Sequence, residues 1–442
     1  MLESVERRPP VQPVEGLDSG FDRLIEALPE HLFGAPDDAF LEPSFSMDPF
    51  TPLAALRDRA GTVVRRGQDG LYGGLDIFNV WGHDLSKPHF VALGYDAVNE
   101  IGTDAARFAN EEAYGAHVEA QGRTVNTFDG MDHILRRRMF DRTMFGRTAM
   151  EEWCIQLTSP LAEYLVSRLK TKLERGLEGD LCRDIALPMA YKSISTIIGI
   201  PQEKFARFVT LGEIAQSAPR DLSAALEAIE ELDGYFASEL RARRQCPMHD
   251  MLTILDQETE RGWKMEEEEI IRHCRFLLPG GIETTWRQTA NLGFALMTHP
   301  EQYQAAVDDP SLIDQAVEEA LRWMPSGFVV PRKAIVDTEV GGTSIPAGSF
   351  ICSLQGIANR DPLHWQNPNV FDIRREQHPH LTFHAGRHYC MGQHLARAIL
   401  KTSLRLWVGQ LPTMRLAVPV SELTTRGLGV RCPAHVPVTL AS

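Results

Sequence analysis

Nowhere do the 442 residues reach the run of roughly 18 apolar residues that spans a membrane. The first ten residues are charged, hold two prolines and lack the apolar centre of a signal peptide. No close pair exists among Cys154, Cys182, Cys246, Cys274, Cys352, Cys390 and Cys432. That spacing argues against a disulfide framework and for reduced thiols in a cytoplasmic, membrane-free protein. Positive charge is in deficit, with 45 Lys and Arg against 60 Asp and Glu and a net charge of −15. Such a balance disfavours binding to nucleic acid or to an anionic membrane surface. Linkers, charge blocks and internal repeats are missing from the interior. One large domain is therefore expected over residues 46–442, although the length alone would allow about three domains. Residues 1–45, rich in proline and acid, are expected to form an N-terminal extension.

What the chain does have is helical periodicity and, with 43% hydrophobic residues, enough material for a large core. The patterns predict helices over 51–59, 94–102, 131–145, 150–172, 187–198, 202–216, 222–243, 265–298, 314–323 and 393–408. A break at Ser217-Ala218-Pro219 separates two of them. Strands are predicted at 62–66 and 75–80 around a glycine-rich turn at 70–74, and a hairpin over 341–351. Residues 104–130 show little periodicity and read as a long binding loop. The fold class is mainly α with small β-sheets.

Candidate chemistry gathers in the stretch Phe383-His384-Ala385-Gly386-Arg387-His388-Tyr389-Cys390-Met391-Gly392. Three readings of Cys390 compete. It is a small buried hydrophobe, a zinc ligand beside His378, His380, His384, His388 and His394, or a thiolate binding a metal from one side. Helix-start amides and a neighbouring cation favour the thiolate. Gly386 and Gly392 carry no β-carbon and would let a flat ligand approach. The histidines otherwise read as solvated side chains. Elsewhere, His133 and Arg137 lie four apart on one helix face, and Pro279-Gly280-Gly281 precedes Glu283-Thr284-Thr285 inside the longest predicted helix. Proline and paired glycines predict a kink there, with freed carbonyls and a small gap. Glu319 and Arg322 are spaced for an ion pair of structural value.

The stretch from Phe383 to Gly392 resembles the haem-binding loop of the cytochromes P-450, Phe-x-x-Gly-x-His-x-Cys-x-Gly, at every fixed position. The likeness extends from about residue 51 to the C-terminus through several motifs in order. These include Gly280-Gly281-Ile282-Glu283-Thr284-Thr285, Glu319-x-x-Arg322 and Phe371-Asp372-Ile373-Arg374. The resemblance implies the P-450 fold and a soluble, monomeric haem-thiolate monooxygenase that hydroxylates a hydrophobic molecule with O2. Haem b (iron protoporphyrin IX) would take Cys390 as its iron ligand. His133, Arg137, Arg332 and His388 would meet its propionates, and Phe383, Gly386 and Gly281 would complete the cofactor site. Thr284 would hydrogen-bond oxygen and Glu283 would feed protons inward. Glutamate here stands where aspartate is commoner, and Pro279 where a helix former is usual. Leu277, Leu278, Phe328, Val329 and Val330 are the expected substrate-pocket walls. With no flavin or iron–sulfur motif, electrons would come from a ferredoxin and its reductase, docking on Arg136, Arg138, Arg142, Arg387 and Lys401. Alternatives are a peroxide-driven or isomerising haem-thiolate enzyme, and a non-catalytic zinc- or haem-binding protein.

Overall fold

A computed structural model describes residues 15–34, 41–67, 83–84, 86–216 and 221–441. The strand expected at 75–80, the turn at 70–74 and the break at 217–219 lie outside these residues. A helical core surrounds one central rod. Helix Glu267–Leu277 runs through a π-helical turn, Leu278–Glu283, into helix Thr284–Thr298. The wide turn falls at Pro279-Gly280-Gly281, where the kink was expected. Proline has no N–H and its ring excludes the carbonyl four residues back, and a wider turn accommodates both. Gly281 is required by packing, because a β-carbon there would lie 2.8 Å from Cδ1 of Ile194 on helix Leu187–Ile198. Trp286, Arg287 and Asn291 are completely buried on the second half of the rod. The Asn291 amide donates to the carbonyls of Met324 and Arg431, tying the rod to two chain segments far away in sequence.

A five-stranded sheet flanks the helices in the order Val63–Arg65, His89–Ala92, Phe350–Leu354, Val329–Ala334, Phe108–Ala109. His89–Ala92 pairs parallel with Phe350–Leu354, and the other pairings are antiparallel. A hairpin forms between Thr338–Val340 and Thr343–Ile345, earlier than the expected 341–351, whose end enters the five-stranded sheet as Phe350–Leu354. Its two turn residues, Gly341 and Gly342, have φ of +56° and +77°, the tight turn that glycine permits. Residues 104–130 are more ordered than their sequence predicts, holding strand Phe108–Ala109 and helix Gly115–Gln121. Helices Met251–Gln257 and Pro300–Asp308 are not among the expected ones; both are short, which leaves little room for a period to show.

The described part of the N-terminal stretch is integrated into this body. Helix Ser19–Glu26 is capped by Asp18, whose carboxylate accepts from the amides of Gly20 and Phe21. It buries Phe21 and Ile25, and Phe33 meets the central-rod Trp286 edge-on at 5.9 Å between centroids. Truncating a fully buried phenylalanine costs about 3–5 kcal/mol. Phe21→Ala is accordingly expected to lower unfolding free energy by about 3 kcal/mol in a urea titration; a change under about 0.5 kcal/mol would mean the segment is peripheral.

Candidate active site

The stretch from Phe383 to Gly392 is a closed loop that feeds helix Gln393–Gln410. The Cys390 amide donates to the Phe383 carbonyl at 3.0 Å, and the Tyr389 amide to that of Gly386 at 3.1 Å. Gly386 has φ +75°, and a β-carbon there would sit 2.2 Å from the carbonyl oxygen of Gly102. Its missing side chain therefore serves packing on helix Tyr95–Thr103, and Gly386 itself does not line the cavity described below. Arg137 lines the cavity as expected, and it also makes bonds within the protein. Its Nε donates to both carboxylate oxygens of Asp141 at 2.9 Å, and its Nη1 donates to the carbonyl of Tyr389. The guanidinium thus braces the residue next to Cys390.

Behind the loop, Arg397 places its guanidinium 4.5 Å from the Phe383 ring and donates twice to Glu318, at 2.7 and 2.9 Å. His380 meets the same carboxylate at 3.1 Å. Burial raises the Glu318 pKa, but His380 and Arg397 outweigh it and hold the group at about 2. Three of the five histidines are not solvated as expected: His384 is 6% exposed, and the side chains of His380 and His388 5% and 9%, whereas His378 is exposed and His394 half-buried. No group of three or more His, Cys, Asp or Glu among the described residues is arranged to hold a metal ion, which removes the support for zinc.

One cavity, with about 1400 Å³ of atom-free space including its mouth, receives the loop, the π turn and the extended segment after Pro325. Of the seven cysteines only Cys390 lines it, and its surface opens there although the loop lies deep in the protein. Burial pushes the free thiol up, while the amides of Gly392 and Gln393 and the charges of Arg137 and Arg397 pull it back. Thr284 lines the same cavity and donates its hydroxyl to the Gly280 carbonyl at 3.0 Å, across the π turn. Ser326 in turn donates to the Thr284 carbonyl at 2.8 Å.

Basic and imidazole groups gather along another part of the wall. His133 and His388 stand 4.2 Å apart between ring centroids, and Arg332 is 2% exposed. Burial first, then the charges of His388 and Arg137, lower the His133 pKa to about 4. His388 Nε2 lies 3.2 Å from Asp129, whose carboxylate also accepts from the amides of Asn110 and Glu111. Buried and without hydrogen-bond partners are Nδ1 of His133, Nη2 of Arg332 and both ring nitrogens of His384.

Several expected site residues are elsewhere. Glu283 does not line the cavity; its carboxylate accepts from Nε of the fully buried Arg287 at 2.8 Å. Phe328 and Val329 belong to the core beneath the sheet, where Phe328 meets the Phe50 ring, and Val330 alone of the three faces the cavity. Alternation sets Val330 opposite Val329 on strand Val329–Ala334, and Phe328 lies just before that strand, where its ring packs on Phe50. Leu277 lines the cavity, and Leu278 turns into the core toward Gly212. Phe383 and Gly281 are on the wall as expected. Sequence reading missed Val125, Ile194, Phe276 and Gln288, since nothing local marks them as cavity residues. Among the expected docking cations, Arg136 is buried between Phe128 and Trp263 and paired with Glu269. Arg142 pairs with Glu258 and Lys401 with Asp314, leaving Arg138 and Arg387 as exposed members whose charge meets no carboxylate partner among the contacts described.

The family model for cytochrome P450 matches residues 204–408. Putative cytochrome P450 YjiB of Bacillus subtilis is 30% identical over 345 residues, 76% of this chain and 85% of that protein. Vitamin D3 dihydroxylase of Streptomyces griseolus is 31% identical over 396 residues, 87% and 92% of the two chains. This chain is a member of the cytochrome P450 family. Its fold matches the structure of P450BioI bound to an acyl carrier protein carrying hexadec-9Z-enoic acid, with TM-score 0.78, 26% identity and coverage of 90% and 100%. As a P450 it is an oxygenase of the family that holds haem through a thiolate.

The walls of this P450 fit that group. A thiol opens on the cavity, and a β-carbon on Gly392 would meet nothing but Cys390 Sγ, at 3.9 Å, so the surface beside the sulfur is clear. The unpartnered donors of His133, His384 and Arg332 suit carboxylates. The Glu318 clamp gives a pH prediction for the protein scaffold. Its carboxyl is depressed from 4.5 to about 2, so its contribution is complete above about pH 4.5 and disappears as pH falls toward 2. Glu318→Gln is expected to flatten the dependence of unfolding free energy on pH across that window; an unchanged slope would take the clamp out of the acid response.

Proposed function

We propose that this P450 inserts one oxygen atom of O2 into a C–H bond of a hydrophobic small molecule, using haem b and electrons from a ferredoxin with its reductase. The observation carrying this reading is that the Cys390 thiol and the Thr284 hydroxyl share one cavity. When bound, haem supplies the activation of oxygen and the electron chemistry. Cys390 would hold the iron. Arg137 keeps the Cys390 loop in place through the Tyr389 carbonyl. His133 and Arg332 bring unpartnered donors to the haem carboxylates, and His388, already held by Asp129, stands with them.

Thr284 stores its hydroxyl proton on the Gly280 carbonyl, from which a small rotation presents it to the cavity. Glu283 lies one residue away with its carboxylate held by Arg287, so it acts as a proton source only when that pair opens. Leu277, Phe276, Ile194, Val125 and Val330 make an apolar surround that favours hydrophobic substrates and excludes water. The relative named vitamin D3 dihydroxylase and the P450 structure solved with myristic acid, 26% identical, support a lipid-like substrate. Arg138 and Arg387 are the exposed cations to which an acidic ferredoxin would be steered. The protein would work in the cytoplasm as a monomer.

Cys390→Ser is expected to abolish the thiolate-type absorption of the reduced carbon-monoxide complex; its persistence would overturn the ligand assignment. Thr284→Ala is expected to leave the substrate-induced spin shift intact while several-fold more of the electrons emerge as peroxide. Assays of labelled O2 incorporation, with ferredoxin or with peroxide as driver, separate monooxygenation from a peroxide-driven or isomerising reaction.

A further inference from the structure

His384 is held in a conformation that the protein alone does not justify. Its φ is +61°, in the left-handed region that L side chains disfavour. Its ring is buried at 6% exposure, lines the cavity and leaves both nitrogens without a partner. Buried polar groups in folded proteins are nearly always hydrogen-bonded, so a partner external to the chain is called for. The surroundings say what kind. His384 lies near Arg332 and His388, and Arg332 Nη2 is another buried donor lacking an acceptor. The nearby carboxylate, Asp129, is taken by His388 and by the amides of Asn110 and Glu111. The Tyr114 hydroxyl also meets Arg332, yet Nη2 of Arg332 and both nitrogens of His384 stay unpartnered; the cluster has donors to spare, and an imidazole in either protonation state carries at least one N–H.

We propose that His384 donates a hydrogen bond to a haem carboxylate shared with Arg332, so that the loop holding Cys390 also grips the edge of the cofactor through a residue in a strained backbone position. The proposal rests on the haem-binding reading above. On the other side the ring is backed by helix Tyr95–Thr103, where a β-carbon on Gly102 would approach His384 Cε1 to 3.0 Å. The imidazole is thereby wedged between the helix and the cavity and has little freedom to turn away.

Three variants of the full-length holoprotein test this. His384→Gly relieves the backbone and removes the donor, His384→Leu removes the donor but keeps bulk, and His384→Asn keeps both a donor and a tolerance for left-handed backbone. The readouts are the rate of haem transfer to apomyoglobin and the ferric/ferrous midpoint potential. A hydrogen bond to a charged group implies a loss rate roughly 10-fold faster in the Gly and Leu variants. Their midpoint potential is expected to be lower, because a less neutralised carboxylate favours the ferric state. The Asn variant is expected to stay near wild type in both. Gly and Leu variants matching wild type in both readouts, with wild-type protein showing the thiolate-type spectrum, would overturn the His384 assignment alone. Wild-type protein that took up no haem would overturn the haem reading beneath it. Thermal unfolding of the haem-free Gly variant at or above wild type would confirm that any faster loss is not a folding defect.

Discussion

The site depends on one buried carboxylate. Glu319 is 1% exposed, and it accepts from Nε and Nη2 of Arg322 at 2.8 Å, from Nε of Arg375 at 3.1 Å and from the amide of Asp372 at 3.0 Å. Arg322 passes the constraint on, donating to the carbonyls of Asn359, Pro368 and Val370. Asn359 then holds the Leu381 amide and the Thr382 hydroxyl, and Thr382 donates back to Leu321 beside the ion pair. The ring of bonds closes at Thr382, the residue before Phe383. A buried ion pair contributes favourably only when nearly every donor and acceptor is matched, and removing one member costs about 3–5 kcal/mol. That all-or-none character makes the pair a good anchor for a loop carrying one reactive sulfur.

Charge is distributed unevenly over this chain. The whole carries −15, yet the cavity wall beside the loop gathers Arg332, His133, His384 and His388 with a single carboxylate, Asp129, committed among them. Desolvation keeps the imidazoles below their usual pKa and destabilises the Arg332 charge. Such a wall is strained electrostatically in isolation and relaxes when an anion enters. Polar atoms left unmatched in the protein become the affinity of the site.

Much of this was legible in the sequence because the relevant signals are local. Cys390 with its flanking glycines, the Glu319-x-x-Arg322 spacing and the Pro279-Gly280-Gly281 interruption all act over a few residues. What escaped depends on contacts distant in the chain. Gly386 is glycine because of the Gly102 carbonyl, and Gly281 because of Ile194. Arg136 reads as a surface cation until Glu269, Phe128 and Trp263 enclose it. Glu283 reads as a free acid until Arg287, one turn on, claims it. The apolar run Phe328–Val330 reads as one wall, yet Phe328 packs on Phe50 before the strand begins and Val329 turns into the core, so only Val330 faces the cavity.

The π turn sets the phase of everything after it. One residue more than an α-turn needs rotates the rest of the rod by about 100° relative to an uninterrupted helix. Trp286 and Asn291 meet Phe33, Met324 and Arg431 only in that rotated frame. Deleting a single residue between 278 and 283 would shift that phase and swing a buried tryptophan and asparagine out of their places. The irregularity is thus a counted length, and the interruption has to be conserved in number as well as in kind.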